Sequence, residues 1–170
     1  YKCYLRKISK LFLIITCTII LFCSCKKDVS QNINIFKYNE YSNISSLDPA
    51  FSSTLRNIWP VNQIFNGLVY LDENLKIKPD IAESWNISKD KKTYTFNLRK
   101  NVFFHKSEYF GKNLTRNVDA YDFEYSFQRL LDIKIASPGN WVFNNVESFK
   151  ALNDSIFEIQ LLKEFDPFLG

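Results

Sequence analysis

The feature that most limits what this chain can fold into lies at its N-terminus. Lys2, Arg6, Lys7 and Lys10 lead directly into the largely apolar run Leu11 to Phe22, and no acidic residue occurs before Cys25. That run is about 12 residues long, whereas a membrane-crossing helix needs roughly 20. A basic flank, a short apolar stretch and small residues behind it form a secretory signal rather than a packed helix. Residues 1–24 are therefore expected to be removed, and only the chain from Cys25 onward has to fold. The same residues carry the charge. Of the 22 Lys and Arg, four lie in this segment, which leaves 18 against 18 Asp and Glu in the body. A body of zero net charge offers no broad basic face to neutralise phosphates, which argues against nucleic acid as a partner.

The segment Phe22-Cys23-Ser24-Cys25 resembles the lipobox of bacterial lipoproteins, with small Ser24 before the cut and Cys25 after it. The resemblance implies that Cys25 becomes the lipidated first residue. Cys23 is the poorer candidate, because bulky Phe22 would precede the cut. A buried apolar helix or an uncleaved transmembrane anchor is the alternative. Cys3, Cys17 and Cys23 fall in the removed segment and Cys25 carries lipid, so the body keeps no free thiol, no disulfide and no thiolate metal site. The chain contains no Met, even at position 1, and stops at Gly170. It is expected to be a piece of a longer reading frame, cut lightly at the front and heavily at the back.

With 46% hydrophobic residues, 170 residues suffice for one domain with a real core or two small lobes. Lys26 to Asn32 is polar and reads as a tether. Ile33 to Tyr38 alternates and predicts a strand. Leu47-Asp48-Pro49 reads as a break. Leu55, Ile58, Val61, Ile64 and Phe65 recur at helical spacing, with Gly67 as a stop and Pro60 expected to kink or split the helix. Leu68–Leu71 and Leu75–Ile77 flank the turn Asp72-Glu73-Asn74 as a hairpin. Ala82–Ile87 and Thr93–Arg99 predict two strands, the second with Tyr94, Phe96 and Leu98 on one face. His105–Asn117 reads as a polar loop. Asp119 caps a helix whose apolar stripe is Ala120, Phe123, Phe127, Leu130 and Leu131, and Asp122 suits its first turn. Val146–Leu152 and Ser155–Leu162 predict a last hairpin around Asn153-Asp154, with Phe157, Ile159 and Leu161 sharing a face. Strands dominate with two interspersed helices, a mixed α and β class.

Catalytic chemistry is not legible. His105 has no neighbouring His or Cys and reads as a surface residue rather than a ligand or base. The Gly residues are isolated, so there is no phosphate-cradling loop, and no Gly-x-Ser-x-Gly elbow occurs. Asp119, Asp122 and Glu124 are close in sequence, but Asp122 and Glu124 would point in different directions on a helix. Aromatics make up 16% and mostly alternate with polar residues in strands, so core packing is the plainer reading. Trp59, Trp85 and Trp141 are candidates for stacking on a ligand. No metal, cofactor or enzyme activity is implied.

A series of spaced blocks resembles the N-terminal part of the family 5 extracellular solute-binding proteins, the oligopeptide- and dipeptide-binding components of bacterial ABC importers. The blocks are Asn39 to Pro49, Gln63 to Val69, Pro79 to Trp85, Thr93 to Asn101 and Val118 to Arg129, with Ala136-Ser137-Pro138 and Phe165 to Leu169. Pro60 and the absence of Asp-Gly in Ser107–Arg116 depart from the family pattern. The resemblance implies a periplasmic-binding-protein type II-like fold, truncated to part of the first lobe plus its extra subdomain. Residues 33–56 would start the first lobe, 57–163 form the extra subdomain, and 164–170 return to the first lobe. Residues 25–32 would be the lipidated tether.

By the same resemblance the protein is a receptor for short peptides, exported and lipid-anchored to the cell envelope in the periplasm or on the outer face of the cytoplasmic membrane. It would serve an ABC permease complex. Tyr41, Ser42, Asn43 and Ile44 would lie along the peptide, with an ordinary strand-to-loop turn as the plainer reading. Nickel complexes, haem and oligosaccharides compete as solutes. A lipid-anchored enzyme with catalytic residues beyond position 170, or a surface adhesin, would be a different class. The strands at 33–38 and 155–162 are expected to pair with absent segments and so to stand at open edges.

Overall fold

The computed structural model describes residues 37–169. Its centre is a four-stranded antiparallel sheet in the order β3-β4-β6-β5. The strands are β3 (Ala82–Ile87), β4 (Thr93–Leu98), β5 (Val146–Asn153) and β6 (Ile156–Leu161). A separate two-stranded ribbon pairs β1 (Val69–Leu71) with β2 (Ile77–Pro79). Among the described residues two α-helices accompany them, α1 (Leu55–Ile64) and α2 (Ala120–Leu131).

Alternation in the two middle strands builds the core. Tyr94, Phe96 and Leu98 of β4 and Phe157, Ile159 and Leu161 of β6 are all buried. The register sets Phe96 opposite Phe157 and Tyr94 opposite Ile159, so the apolar residues meet on one face. Helix α2 covers that face. Its Phe127 ring meets Phe157 edge-on at 5.3 Å, Phe149 at 5.3 Å and Phe143 at 5.1 Å, and Phe123 lies 5.9 Å from Phe157. Such edge-to-face pairs place the positive ring edge on the negative ring face. The α2 stripe is as expected at Ala120, Phe123 and Phe127, but Leu131 is exposed at the end of the helix.

The start of α2 is fixed by its own side chains. Asp119 Oδ1 accepts from the Asp122 N–H at 3.2 Å, and Asp122 Oδ2 accepts from the Asp119 N–H at 2.9 Å, a reciprocal capping box. Arg116 forks onto the Asp122 carboxylate and lies 4.7 Å from the Phe104 ring centre. This ties the preceding loop to the helix by charge and by cation–π attraction. Glu124 points elsewhere and accepts from the Ala151 N–H on β5 at 2.8 Å.

Several expectations change. The strand from 155 to 162 does not stand at an edge, because β6 is paired on both sides, by β4 and β5. The strand expected at 33–38 lies outside the described residues except for Lys37 and Tyr38, and neither is in a strand. Helix α1 runs through Pro60 without being split, and the Pro60 ring is buried. Its inward residues are Asn57, Pro60 and Val61, while Leu55, Ile64 and Phe65 are exposed. The helix rotates this way because Asn57 finds hydrogen-bond partners inside. Gly67 is not its stop: Phe65 caps the helix with extended backbone. Gly67 instead donates to Asp80 at 3.1 Å, and a Cβ there would press within 3.1 Å of the Val69 carbonyl oxygen. The break at Asp48-Pro49 is a short 3-10 turn, Pro49–Phe51. The loop His105–Asn117 contains 3-10 turns over Glu108–Asn113. His105 is exposed, as expected of a surface residue. Trp85 packs against the core, but Trp59 and Trp141 are exposed.

Candidate functional site

The four residues expected to follow a ligand sit on an irregular segment ahead of the 3-10 turn. Tyr41 is 95% exposed, and Asn43 and Ile44 are exposed as well. Ser42 is half-buried because its Oγ accepts from Arg56 Nη1 at 2.8 Å. Among the described residues, the backbone N–H and C=O groups of Asn43 and Ile44 make no hydrogen bond. Their backbone therefore keeps free donors and acceptors that a second extended chain could use.

The flanks of this tip are held firmly. Asn57 Nδ2 donates to Ser45 Oγ at 2.9 Å, and the Ser45 N–H donates back to Asn57 Oδ1 at 3.2 Å. Asn57 is only 4% exposed, so both of its polar atoms are used in place of water. Asp48 caps the 3-10 turn by accepting from the Ala50 N–H at 3.0 Å. Arg129, from α2, grips the same carboxylate with both guanidinium nitrogens, Nη1 reaching Oδ1 at 2.7 Å. The Arg129 guanidinium holds the Asp48 carboxyl below the usual carboxylate range; burial opposes this and the Ala50 amide adds to it. Buried Ser137 donates its Oγ hydrogen to the Ala50 carbonyl at 2.7 Å.

An apolar cavity of about 740 Å³ opens beside this turn. Phe65, Phe96, Phe123, Phe127 and Phe168 line it, and Asp48 and Arg129 stand at its wall. Its charged groups are already bound to each other, so they are not free to orient a polar ligand. Among the described residues there is no grouping of His, Cys, Asp and Glu fit to hold a metal ion, and no helix is long and apolar enough to cross a membrane. Cys25 lies outside the described residues.

Only the resemblance singles out Tyr41–Ile44, and the residues that fasten this segment are marked less evenly in the sequence. Asp48 before Pro49 is a legible cap signal. Arg129 and Ser137 are not legible, because they lie 81 and 87 positions from their partners.

A family model described as bacterial extracellular solute-binding proteins, family 5 (middle region), matches residues 76–170. The chain belongs to that family. Within family 5, the dipeptide-binding protein DppE of Bacillus subtilis is 32% identical over 115 residues, covering 68% of this chain and 20% of that protein. The solved structure of the periplasmic binding protein DppA from Helicobacter pylori, in complex with the peptide STSA, matches with a TM-score of 0.62 and 32% identity. That match covers 74% of this chain and 26% of the other. NikZ from Campylobacter jejuni, in complex with Ni(L-His), matches with a TM-score of 0.60 and 30% identity over 75% of this chain and 24% of that one. The mixed α and β fold is thus that of periplasmic binding proteins of type II, in part. This family 5 chain spans about a fifth of the length of the curated relative and about a quarter of the solved ones.

Proposed function

We propose that this chain belongs to an exported substrate-binding component of an ABC importer, which binds short peptides and delivers them to the permease complex. The observation that carries the reading is the exposed tip at Asn43 and Ile44, whose backbone groups are unbonded among the described residues while both flanks are fastened. A peptide offers the same donors and acceptors at every residue whatever its side chains. A receptor that uses its own backbone can therefore bind many sequences. Tyr41, Ser42, Asn43 and Ile44 run beside the ligand in this reading. The likeness to proteins named for dipeptide binding supports it.

Binding rather than catalysis is the role supported by membership of a solute-binding family. The rest of the receptor closes over the ligand by a hinge motion of its lobes. Cys25 carries the lipid that keeps the receptor at the membrane, either in the periplasm or on the outer face of the cytoplasmic membrane. Residues 33–56 and 164–170 belong to the first lobe and 57–163 to its extra subdomain.

The test is calorimetry of the full-length protein against di- to pentapeptides. Saturable heat with at least one length class is expected. No heat with any peptide, alongside saturable binding of a nickel–histidine complex, would overturn the peptide reading. That second solute is favoured by one observation, the likeness to NikZ in complex with Ni(L-His).

A further inference from the structure

The sequence holds one Asn-Gly pair, Asn66-Gly67, and it lies exposed in the link between α1 and β1. Asn is a chemically labile residue, and a Gly after it leaves no Cβ to hinder attack of the backbone nitrogen on the side-chain amide. Glycine is hard to replace here, because a Cβ would come within 3.1 Å of the Val69 carbonyl oxygen. The backbone therefore retains the residue that makes Asn66 vulnerable. A single carboxylate meets both reacting groups. Asp80, half-buried between β2 and β3, accepts from Asn66 Nδ2 through Oδ1 at 3.0 Å and through Oδ2 at 3.1 Å. Its Oδ2 also accepts from the Gly67 N–H at 3.1 Å. The backbone that follows is paired as well. The Gly67 carbonyl accepts from the Ile81 N–H at 3.0 Å, and the Leu68 carbonyl accepts from the Asp80 N–H at 3.2 Å and the Ala82 N–H at 3.0 Å.

We propose that Asn66 is a latent deamidation site, and that Asp80 suppresses the reaction by holding the departing amide and the attacking nitrogen at once. In that reaction the Gly67 nitrogen gives up its proton and its electron pair attacks Asn66 Cγ. An N–Cγ bond forms, the Cγ–Nδ2 bond breaks, and Nδ2 leaves as ammonia, taking up a proton in place of the one released. Solvent water then opens the cyclic imide at either carbonyl, giving aspartate or isoaspartate. The Gly67 nitrogen must become negative before it attacks, and a carboxylate beside it disfavours that charge. Closure also swings Cγ toward the Gly67 nitrogen, which pulls Nδ2 off an ionised acceptor, and such bonds are stronger than neutral ones. The paired carbonyls of Gly67 and Leu68 resist the backbone rotation that closure requires. Either product sets a second carboxylate against Asp80, where like charges repel, and isoaspartate adds a methylene to the backbone. The guard therefore preserves the junction between α1 and the β1–β2 ribbon.

Peptide mapping by mass spectrometry of the full-length protein, aged at mildly alkaline pH, tests this. Deamidation is read as the mass gained when NH₂ is replaced by OH, and as a chromatographic pair of aspartate and isoaspartate products. Asp80→Ala and Asp80→Asn should each raise the rate at Asn66 about tenfold, the factor of one charge-assisted hydrogen bond. Asn74 is exposed but followed by bulky Leu75, so it serves as internal reference and should not change. An unchanged rate at Asn66 in the folded variants overturns the proposal. A slower rate overturns it too, and makes Asp80 a general base that takes the Gly67 proton. Should neither variant fold, the unsubstituted protein carries the test, intact against urea-unfolded. Asn66 should then react faster unfolded, at the rate of the unfolded variants, and equal rates in the intact and unfolded protein overturn the guarding role.

Discussion

At the scale of single residues, the carboxylates do the most specific work, and each acts through a different partner. Asp48 is held ionised by Arg129, so its pKa in the folded chain lies below the unfolded value of about 3.9. A depressed carboxylate contributes stability that is fully present above the unfolded pKa and is lost as pH falls through the folded one. The Asp48–Arg129 fork should therefore persist at neutral pH and let go only below about pH 4. Asp48→Asn should flatten the acid limb of a plot of Tm against pH, and an unchanged limb would show that the pair contributes nothing. Asp119 works through geometry instead. Asp119→Ala removes one half of the capping box and should cost about 1 kcal/mol in urea unfolding. Phe157 is fully buried, with Phe123 and Phe127 against its ring. Phe157→Ala should cost about 3 to 5 kcal/mol, the largest loss among these variants, because it removes apolar area and leaves a cavity. The Asp119 cap is legible in the sequence, since it is a local bond between residues three apart. The Asp48–Arg129 fork was not, since nothing local marks two charges 81 positions apart as partners.

At the scale of elements, period decided what could be read. Strands β4 and β6 lie where alternation puts them, because one buried and one less buried face impose a period of two on the side chains. Helix α1 was readable as a helix but not in its orientation. Its apolar spacing favoured Leu55 and Ile64, yet the buried face holds Asn57, whose bonds to Ser45 depend on a segment 12 positions away. Sheet order was not readable for a similar reason. Alternation marks β6 as half-buried but does not say that it has neighbours on both sides. Turns carry their own strain. The β1–β2 turn is organised by Asp72, whose Oδ1 accepts from the N–H groups of Asn74 and Lys76 at 2.9 Å. This turn forces Leu75 to a φ of 56°, a left-handed conformation in which its Cβ crowds the carbonyl. The Leu75 side chain is 78% exposed, so it has little packing to lose. Leu75→Gly should raise stability by roughly 0.5 to 1 kcal/mol, the relief of strain outweighing the added freedom of the unfolded chain. A lower urea midpoint in that variant would mean that the exposed Leu75 side chain packs usefully.

At the scale of the whole molecule, the uneven charge of the chain sets its proposed place in the cell. All the net charge of +4 is accounted for by Lys2, Arg6, Lys7 and Lys10, which precede the apolar run, and the neutral body comes after it. Two mechanisms could hold such a protein at a membrane, and they differ in magnitude and in chemistry. An uncleaved run of about 12 residues is too short to cross the hydrocarbon core as a straight helix. In the lipid reading, acyl chains on Cys25 would gain about 0.8 kcal/mol for each buried CH₂, and two chains together anchor stably where one is marginal. The lipid reading therefore predicts that retention depends on one sulfur atom rather than on the apolar run. Cys25→Ala in the full-length protein should move it from the membrane pellet to the soluble fraction and remove the lipid mass from the mature chain. Cys23→Ala, two positions earlier, should leave fractionation unchanged. If Cys25→Ala stays with the membrane, the apolar run itself is the anchor, and Lys2, Arg6, Lys7 and Lys10 remain on the inner side of the bilayer, where basic flanks are retained.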